Sequence, residues 1–194
     1  VKLTLPLFLA SFLLVILLTA CGGQATSEPG SYVSPDGKFT FGYAPEWNLV
    51  ILEADAILDV SRSADSPDVI QLEVMPPLPL ASYTEAGLGT SVNEIVNARA
   101  QLWQRFGPSV STEINIQSAE VTAFTVGEYP AAYAYASIPG DAGITFGIMV
   151  LAIQVTADDV VTITALPPQG QDFSVLVNRQ AQILEVANSV RYTP

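Results

Sequence analysis

The chain holds no histidine and a single cysteine, Cys21, among its 194 residues. Serine–histidine and cysteine–histidine nucleophiles, HExxH zinc sites and cysteine-rich zinc or iron–sulfur sites are therefore excluded. A disulfide within the chain is excluded too, since it needs two sulfurs. Carboxylates are the remaining candidates for catalysis. Asp55 with Asp59, or Asp65 with Asp68, could act as general acid and base only if burial drove their pKa values apart. Their neighbours read as loops and strand edges, where carboxylates stay solvated. Lys38 is the only lysine after Lys2 and sits beside a turn, a poor place for the desolvated base that a serine–lysine pair requires. Asp158-Asp159 supplies too few oxygens for calcium, which takes roughly six to eight, and suits a turn instead. No metal site and no cofactor are expected. For binding, the aromatics Trp47, Tyr129, Tyr133 and Tyr135 fall near predicted strand ends and could line a cleft. Aromatic side chains also suit half-buried pleated surfaces, so packing over a sheet is the simpler account of them.

Cys21 closes the one long apolar run. Residues 3–18 are interrupted only by Thr4, Pro6 and Ser11, with Lys2 ahead and Thr19-Ala20 behind. A basic start, an apolar middle and small residues before a cut make a secretory signal peptide. The run is 16 residues with a proline inside, short of the roughly 20 that a spanning helix needs. Leu18-Thr19-Ala20-Cys21 resembles the lipobox of bacterial lipoproteins. That resemblance implies a diacylglyceryl group on the Cys21 sulfur, cleavage before Cys21, and a domain held at the extracytoplasmic face of the cell membrane. Two or three acyl chains anchor stably where one is marginal. The expected organisation is a signal peptide at 1–20, the lipidated cysteine with a flexible Gly/Ser/Pro linker at 21–31, and one domain at 32–194.

From Cys21 onward, 6 basic side chains face 19 acidic ones. Such a surface repels phosphate backbones, so nucleic acid is not an expected partner. The lipid bilayer, reached through acylated Cys21, and a protein near the membrane are.

The element pattern then follows from periodicity and turn chemistry. Pro35-Asp36-Gly37 marks a turn, and Phe39, Phe41 and Tyr43 alternate onto one face of a strand at 38–43. A returning strand is predicted at 48–53, a short one at 57–61 and another at 69–75. The prolines of Pro76-Pro77-Leu78-Pro79 cannot donate ladder hydrogen bonds, so the chain is expected to leave the sheet there. Ser91 and Glu94 form a capping box ahead of a helix carrying Val92, Ile95, Val96, Leu102, Trp103 and Phe106, stopped by Gly107-Pro108. Strands at 120–126, 131–138, 144–155 and 160–166 form a meander, turning at 127–130, 139–143 and 157–159. The nearly continuous apolar run at 144–155 predicts a central strand covered on both faces. Asp172 caps a last helix with Phe173, Leu176, Val177, Ile183, Leu184, Ala187 and Val190 on one face. Helices with a largely antiparallel sheet make an α+β domain.

Four stretches together resemble the PsbP-like family over residues 32–192. They are Phe39-x-Phe41-x-Tyr43-x-Pro45-x-Trp47, Gly127-x-x-Pro130-Ala131, the strand–turn–strand across Asp158, and the terminal Ala187-Asn188-Ser189-Val190. The resemblance implies an α/β/α sandwich, an antiparallel sheet flanked by helices. It also implies a protein that docks on others, as the extrinsic photosystem subunit PsbP and a Ran-binding relative do. It transfers no catalytic or metal-binding residue to this chain. The expected function is a membrane-anchored, extracytoplasmic, non-catalytic protein-binding or assembly module. A small-ligand or cation-binding lipoprotein is the alternative class, and a carboxylate-based hydrolase the third.

Overall fold

The computed structural model describes residues 30–45, 47–52, 57–62, 70–105, 120–139, 145–167 and 174–194. Cys21 and the expected signal peptide lie outside these, as do Asp55, Asp65, Asp68, Phe106, the Gly107-Pro108 stop, Asp172 and Phe173. The strands are β1 (Gly30–Val33), β2 (Phe39–Tyr43), β3 (Trp47–Leu52), β4 (Ile57–Arg62) and β5 (Gln71–Pro79), then β6 (Val121–Val126), β7 (Tyr129–Pro139), β8 (Thr145–Gln154), β9 (Asp159–Leu166) and β10 (Arg191–Tyr192). The helices are α1 (Leu80–Glu85), α2 (Val92–Arg105), α3 (Ser174–Asn178) and α4 (Gln180–Asn188). Among the described residues, no helix is long and apolar enough to cross a membrane.

The strands form a seven-stranded sheet in the order β3-β4-β5-β9-β8-β7-β6 and a three-stranded sheet in the order β1-β2-β10. Every pairing is antiparallel. The meander from β6 to β9 and the central, doubly covered β8 are as the apolar pattern predicts. Ile148 to Ile153 are all buried, with Met149, Leu151 and Ile153 in one core cluster and Ile148, Val150 and Ala152 on the opposite side. One face of the large sheet meets Phe39 and Phe41 of the small sheet together with Leu176, Ile183, Val186 and Ala187 of α3 and α4. The other meets Val92, Ile95, Val96 and Ala100 of α2. The domain is an α+β sandwich of the α/β/α kind, with the small sheet sharing a layer with α3 and α4.

Five local expectations are corrected. The prolines after Met75 do not leave the sheet: β5 continues to Pro79, with Leu78 opposite Val160 and Pro79 opposite Asp159 across a register shift between Met75 and Leu78. The irregularity takes up Pro76 and Pro77, and the β4 pairing reaches only Val74, so the missing N–H groups interrupt no second ladder. β3 does not return against β2 but enters the large sheet beside β4. The corner before Ala131 is tighter than expected: Tyr129 already pairs with Val126, and Gly127 adopts φ 61, a left-handed conformation that glycine tolerates. The last helix is two helices, broken at Arg179 (φ −105, ψ 4), and Val177 is 44% exposed rather than on the core face. Finally α1 was not foreseen, and β1 begins at Gly30, two residues ahead of the expected domain start.

The α2 start keeps its capping box in altered form. The Glu94 N–H donates to Ser91 Oγ at 3.4 Å, while the Glu94 carboxylate accepts from the Thr90 N–H at 2.6 Å and the Thr90 hydroxyl at 3.0 Å. These bonds hold the Glu94 carboxyl below its ordinary pKa.

Candidate functional site

β7 reads Tyr-Pro-Ala-Ala-Tyr-Ala-Tyr-Ala from Tyr129 to Ala136, and strand geometry sends alternate side chains to opposite faces. Ala132, Ala134 and Ala136 lie under α2. Tyr129, Tyr133 and Tyr135 pack on the other face, half-buried against the main core. Tyr133 meets Phe124 of β6 edge-on at 5.7 Å and Tyr135 edge-on at 6.0 Å, a geometry that aligns ring edges with ring faces.

Gln180, the first residue of α4, joins the two tyrosines. Its Nε2 donates to the Tyr133 hydroxyl at 2.9 Å, and the Tyr135 hydroxyl donates to its Oε1 at 3.1 Å. Burial, with the neighbouring Tyr133 adding to it, pushes the Tyr135 hydroxyl up to about 12. That phenol keeps its proton at neutral pH and is no general base. Arg179 occupies the helix break, and its Nη1 donates to Gln182 Oε1 at 3.2 Å. Beside it lies an open hollow of about 590 Å³, lined among the described residues by Val175, Asn178, Arg179, Ala181 and Gln182. The corner thus presents amide and guanidinium groups outward, while Gln180 ties it to the tyrosines behind. Its chemistry is hydrogen bonding to polar groups, with a guanidinium suited to carbonyl or carboxylate acceptors.

The structure brings the three tyrosines onto one strand face but keeps Trp47 apart. Trp47 starts β3, at the opposite edge of the seven-stranded sheet, and is 4% exposed within the core. It is corrected from a cleft residue to a packing one. Gln180, Arg179 and Gln182 were not singled out from the sequence. Their signal is the polar run Asn178-Arg179-Gln180-Ala181-Gln182 set into an otherwise apolar helical stripe.

Asp158-Asp159 is a turn. Thr156 Oγ1 accepts from the N–H groups of Asp158 at 3.1 Å and Asp159 at 2.9 Å, and donates to Asp159 Oδ2 at 2.9 Å. Among the described residues, no three His, Cys, Asp or Glu side chains stand close enough to hold a metal ion.

No sequence-family profile matches the chain, and no curated protein matches it by sequence. The fold does find neighbours. The solution structure of the cyanobacterial PsbP protein CyanoP from Synechocystis sp. PCC 6803 superposes with a TM-score of 0.53 at 12% identity, covering 90% of this chain and 98% of that one. A crystal structure from Bacteroides thetaiotaomicron gives 0.47 at 11% identity over 84% of this chain, which spans only 48% of that protein's length. The CyanoP likeness is one of fold, and the fold is PsbP-like.

Proposed function

We propose that this protein is a lipid-anchored module on the extracytoplasmic face of the cell membrane that binds a protein partner close to the bilayer and catalyses no reaction. The observation that carries the reading is the position of Cys21, at the end of a lipobox-like Leu18-Thr19-Ala20-Cys21 and shortly before the first strand at Gly30. Fully extended, the chain between them spans at most about 30 Å. A domain on so short a leash meets partners held at the same surface at high effective concentration. The α3–α4 corner is the favoured contact face, since it combines the hollow beside Arg179 and Gln182 with the exposed Val177. The lack of histidine and the acylation of the only thiol leave binding as the simpler use of such a surface.

Radiolabelled fatty acid is expected to enter the wild type and not Cys21→Ser; equal labelling of both rejects the anchor. Photo-crosslinkers at Ala181 and Gln182 in the anchored protein are expected to trap one defined membrane partner. Crosslinks no different from those made by a probe at exposed Ile51, on β3 at the other edge, reject the contact face.

A further inference from the structure

The seven-stranded sheet ends at β6, which among the described residues pairs with β7 alone. The register fixes which backbone groups are left over. Gly127 and Glu128 make a two-residue hairpin loop closed by Val126 and Tyr129, and such a loop is flanked by a hydrogen-bonded pair. Alternation then turns the N–H and C=O of Val126, Phe124 and Thr122 toward β7, and those of Thr125, Ala123 and Val121 away from it. Pro130 stands opposite Thr125, a place in the ladder that asks it for no N–H. No described backbone group pairs with the outward set.

An edge of this kind is a template for another strand, and proteins blunt such edges with prolines, charges or bulges. This chain does so elsewhere: where β5 runs past its β4 pairing, the bare edge carries Pro76, Pro77 and a register shift. β6 has none of these. Its six residues, VTAFTV, are uncharged and free of proline, and their register with β7 is unbroken. Phe124 is half-buried, packed edge-on with Tyr133 at 5.7 Å, so an apolar side chain laid beside it would complete its cover. The charges choose the occupant. Two exposed carboxylates frame the uncharged strand, Glu120 before it and Glu128 in the loop after it. A second copy paired antiparallel through the outward groups would bring Glu120 of one chain opposite Glu128 of the other, or close beside it. Like charges set across a strand pair destabilise it, and each chain already carries a net charge of −12. A strand with basic residues at both ends meets attraction instead.

We infer that β6 is a docking edge for an extended segment of a partner protein, a short uncharged, β-prone stretch flanked by lysine or arginine. The segment extends the sheet by one strand, bonded to Val121, Ala123 and Thr125. This edge needs neither the α3–α4 corner nor the anchor. The full chain in mild detergent is titrated with a short peptide of alternating valine and threonine with arginine at both ends, and with the same peptide ending in glutamate. Amide hydrogen exchange followed by NMR is the readout. The arginine peptide is expected to bind saturably and to slow exchange at Val121, Ala123 and Thr125 by about tenfold or more. The glutamate peptide is expected to bind about tenfold more weakly. Ala123→Pro removes the central outward N–H and spares the β7 ladder, and is expected to lose the peptide while melting as the wild type does. Glu120→Lys combined with Glu128→Lys, both at exposed positions, is expected to reverse the preference in favour of the glutamate peptide. No saturable binding, protection confined to other amides, binding undiminished in a folded Ala123→Pro, or a preference unmoved by the charge reversal overturns the inference. So does protection of the same three amides that arises without peptide and grows with protein concentration, which would make the occupant a second copy.

Discussion

At the scale of single residues, the tyrosine pair and Ser189 do the most with the fewest atoms. The Tyr135 phenol is raised from 10.0 to about 12, so the folded chain keeps a proton that the unfolded chain releases. Its contribution to stability is complete below pH 10 and is lost as pH rises through the window from 10 to about 12. Tyr135→Phe is expected to flatten the alkaline loss of stability in urea unfolding across that window. Because burial also raises Tyr32, Tyr83 and Tyr192, the difference between wild type and variant is the readout, and parallel curves would reject the assignment. Ser189 ties the end of α4 to β2. Its hydroxyl accepts from the Gly42 N–H at 2.8 Å and faces the carbonyls of Val186 at 2.6 Å and Gly42 at 3.0 Å. Ser189→Ala leaves a part-buried N–H unpaired and is expected to cost about 1–2 kcal/mol, measured as a urea midpoint shift at constant slope. An unchanged midpoint would show that water replaces the hydroxyl.

At the scale of elements, β7 divides the labour of the sheet. Its tyrosines fill the side toward α4, and its alanines let α2 lie against the other. Ala134 is fully buried there beside Val96 and Ala132. Ala134→Leu forces extra carbons under a close-packed helix and is expected to destabilise the fold by about 1–3 kcal/mol. The same change at the solvent-facing Ala123 of β6 is expected to be nearly neutral. Equal midpoints for the two variants in chemical unfolding would mean that α2 stands off the sheet. The meander, the buried β8 and the α2 start were legible in the sequence because period and turn residues are local signals. The assignment of β2 and β3 to different sheets was not, since strands with similar alternation carry no label for their partners. Pro76 and Pro77 misled because a register shift beside an unpaired strand edge hides their missing donors, and that edge exists only in the assembled sheet. The Arg179 break was visible as polar residues, but Gln180 gains its role only once β7 stands next to α4. Tyr129, Tyr133 and Tyr135 stood out in the sequence as aromatics, but the Gln180 amide that joins the Tyr133 and Tyr135 hydroxyls did not.

At the scale of the whole molecule, the described core lies apart in sequence from the stretch proposed to carry the anchor. The first described strand, β1, is an edge strand paired only with β2, running from Gly30 opposite Tyr43 to Val33 opposite Thr40. Gly30 lies tight under the Tyr43 ring, where a Cβ would collide with it, so the chain is pinned at that residue. The described core clusters are assembled from residues between Tyr32 and Tyr192. A chain of residues 22–194 is therefore expected to unfold at the same urea midpoint as the full protein, while passing from the membrane fraction to the supernatant. Stability that falls with the truncation would mean that upstream residues pack on the domain. Unchanged membrane association would mean that the surface of the domain, rather than Cys21, does the holding. Because the folded part carries most of the 19 acidic side chains, any such residual association should strengthen with salt on anionic vesicles, the reverse of a basic surface patch. The sign of that salt effect tells attachment through the anchor from attachment through the fold.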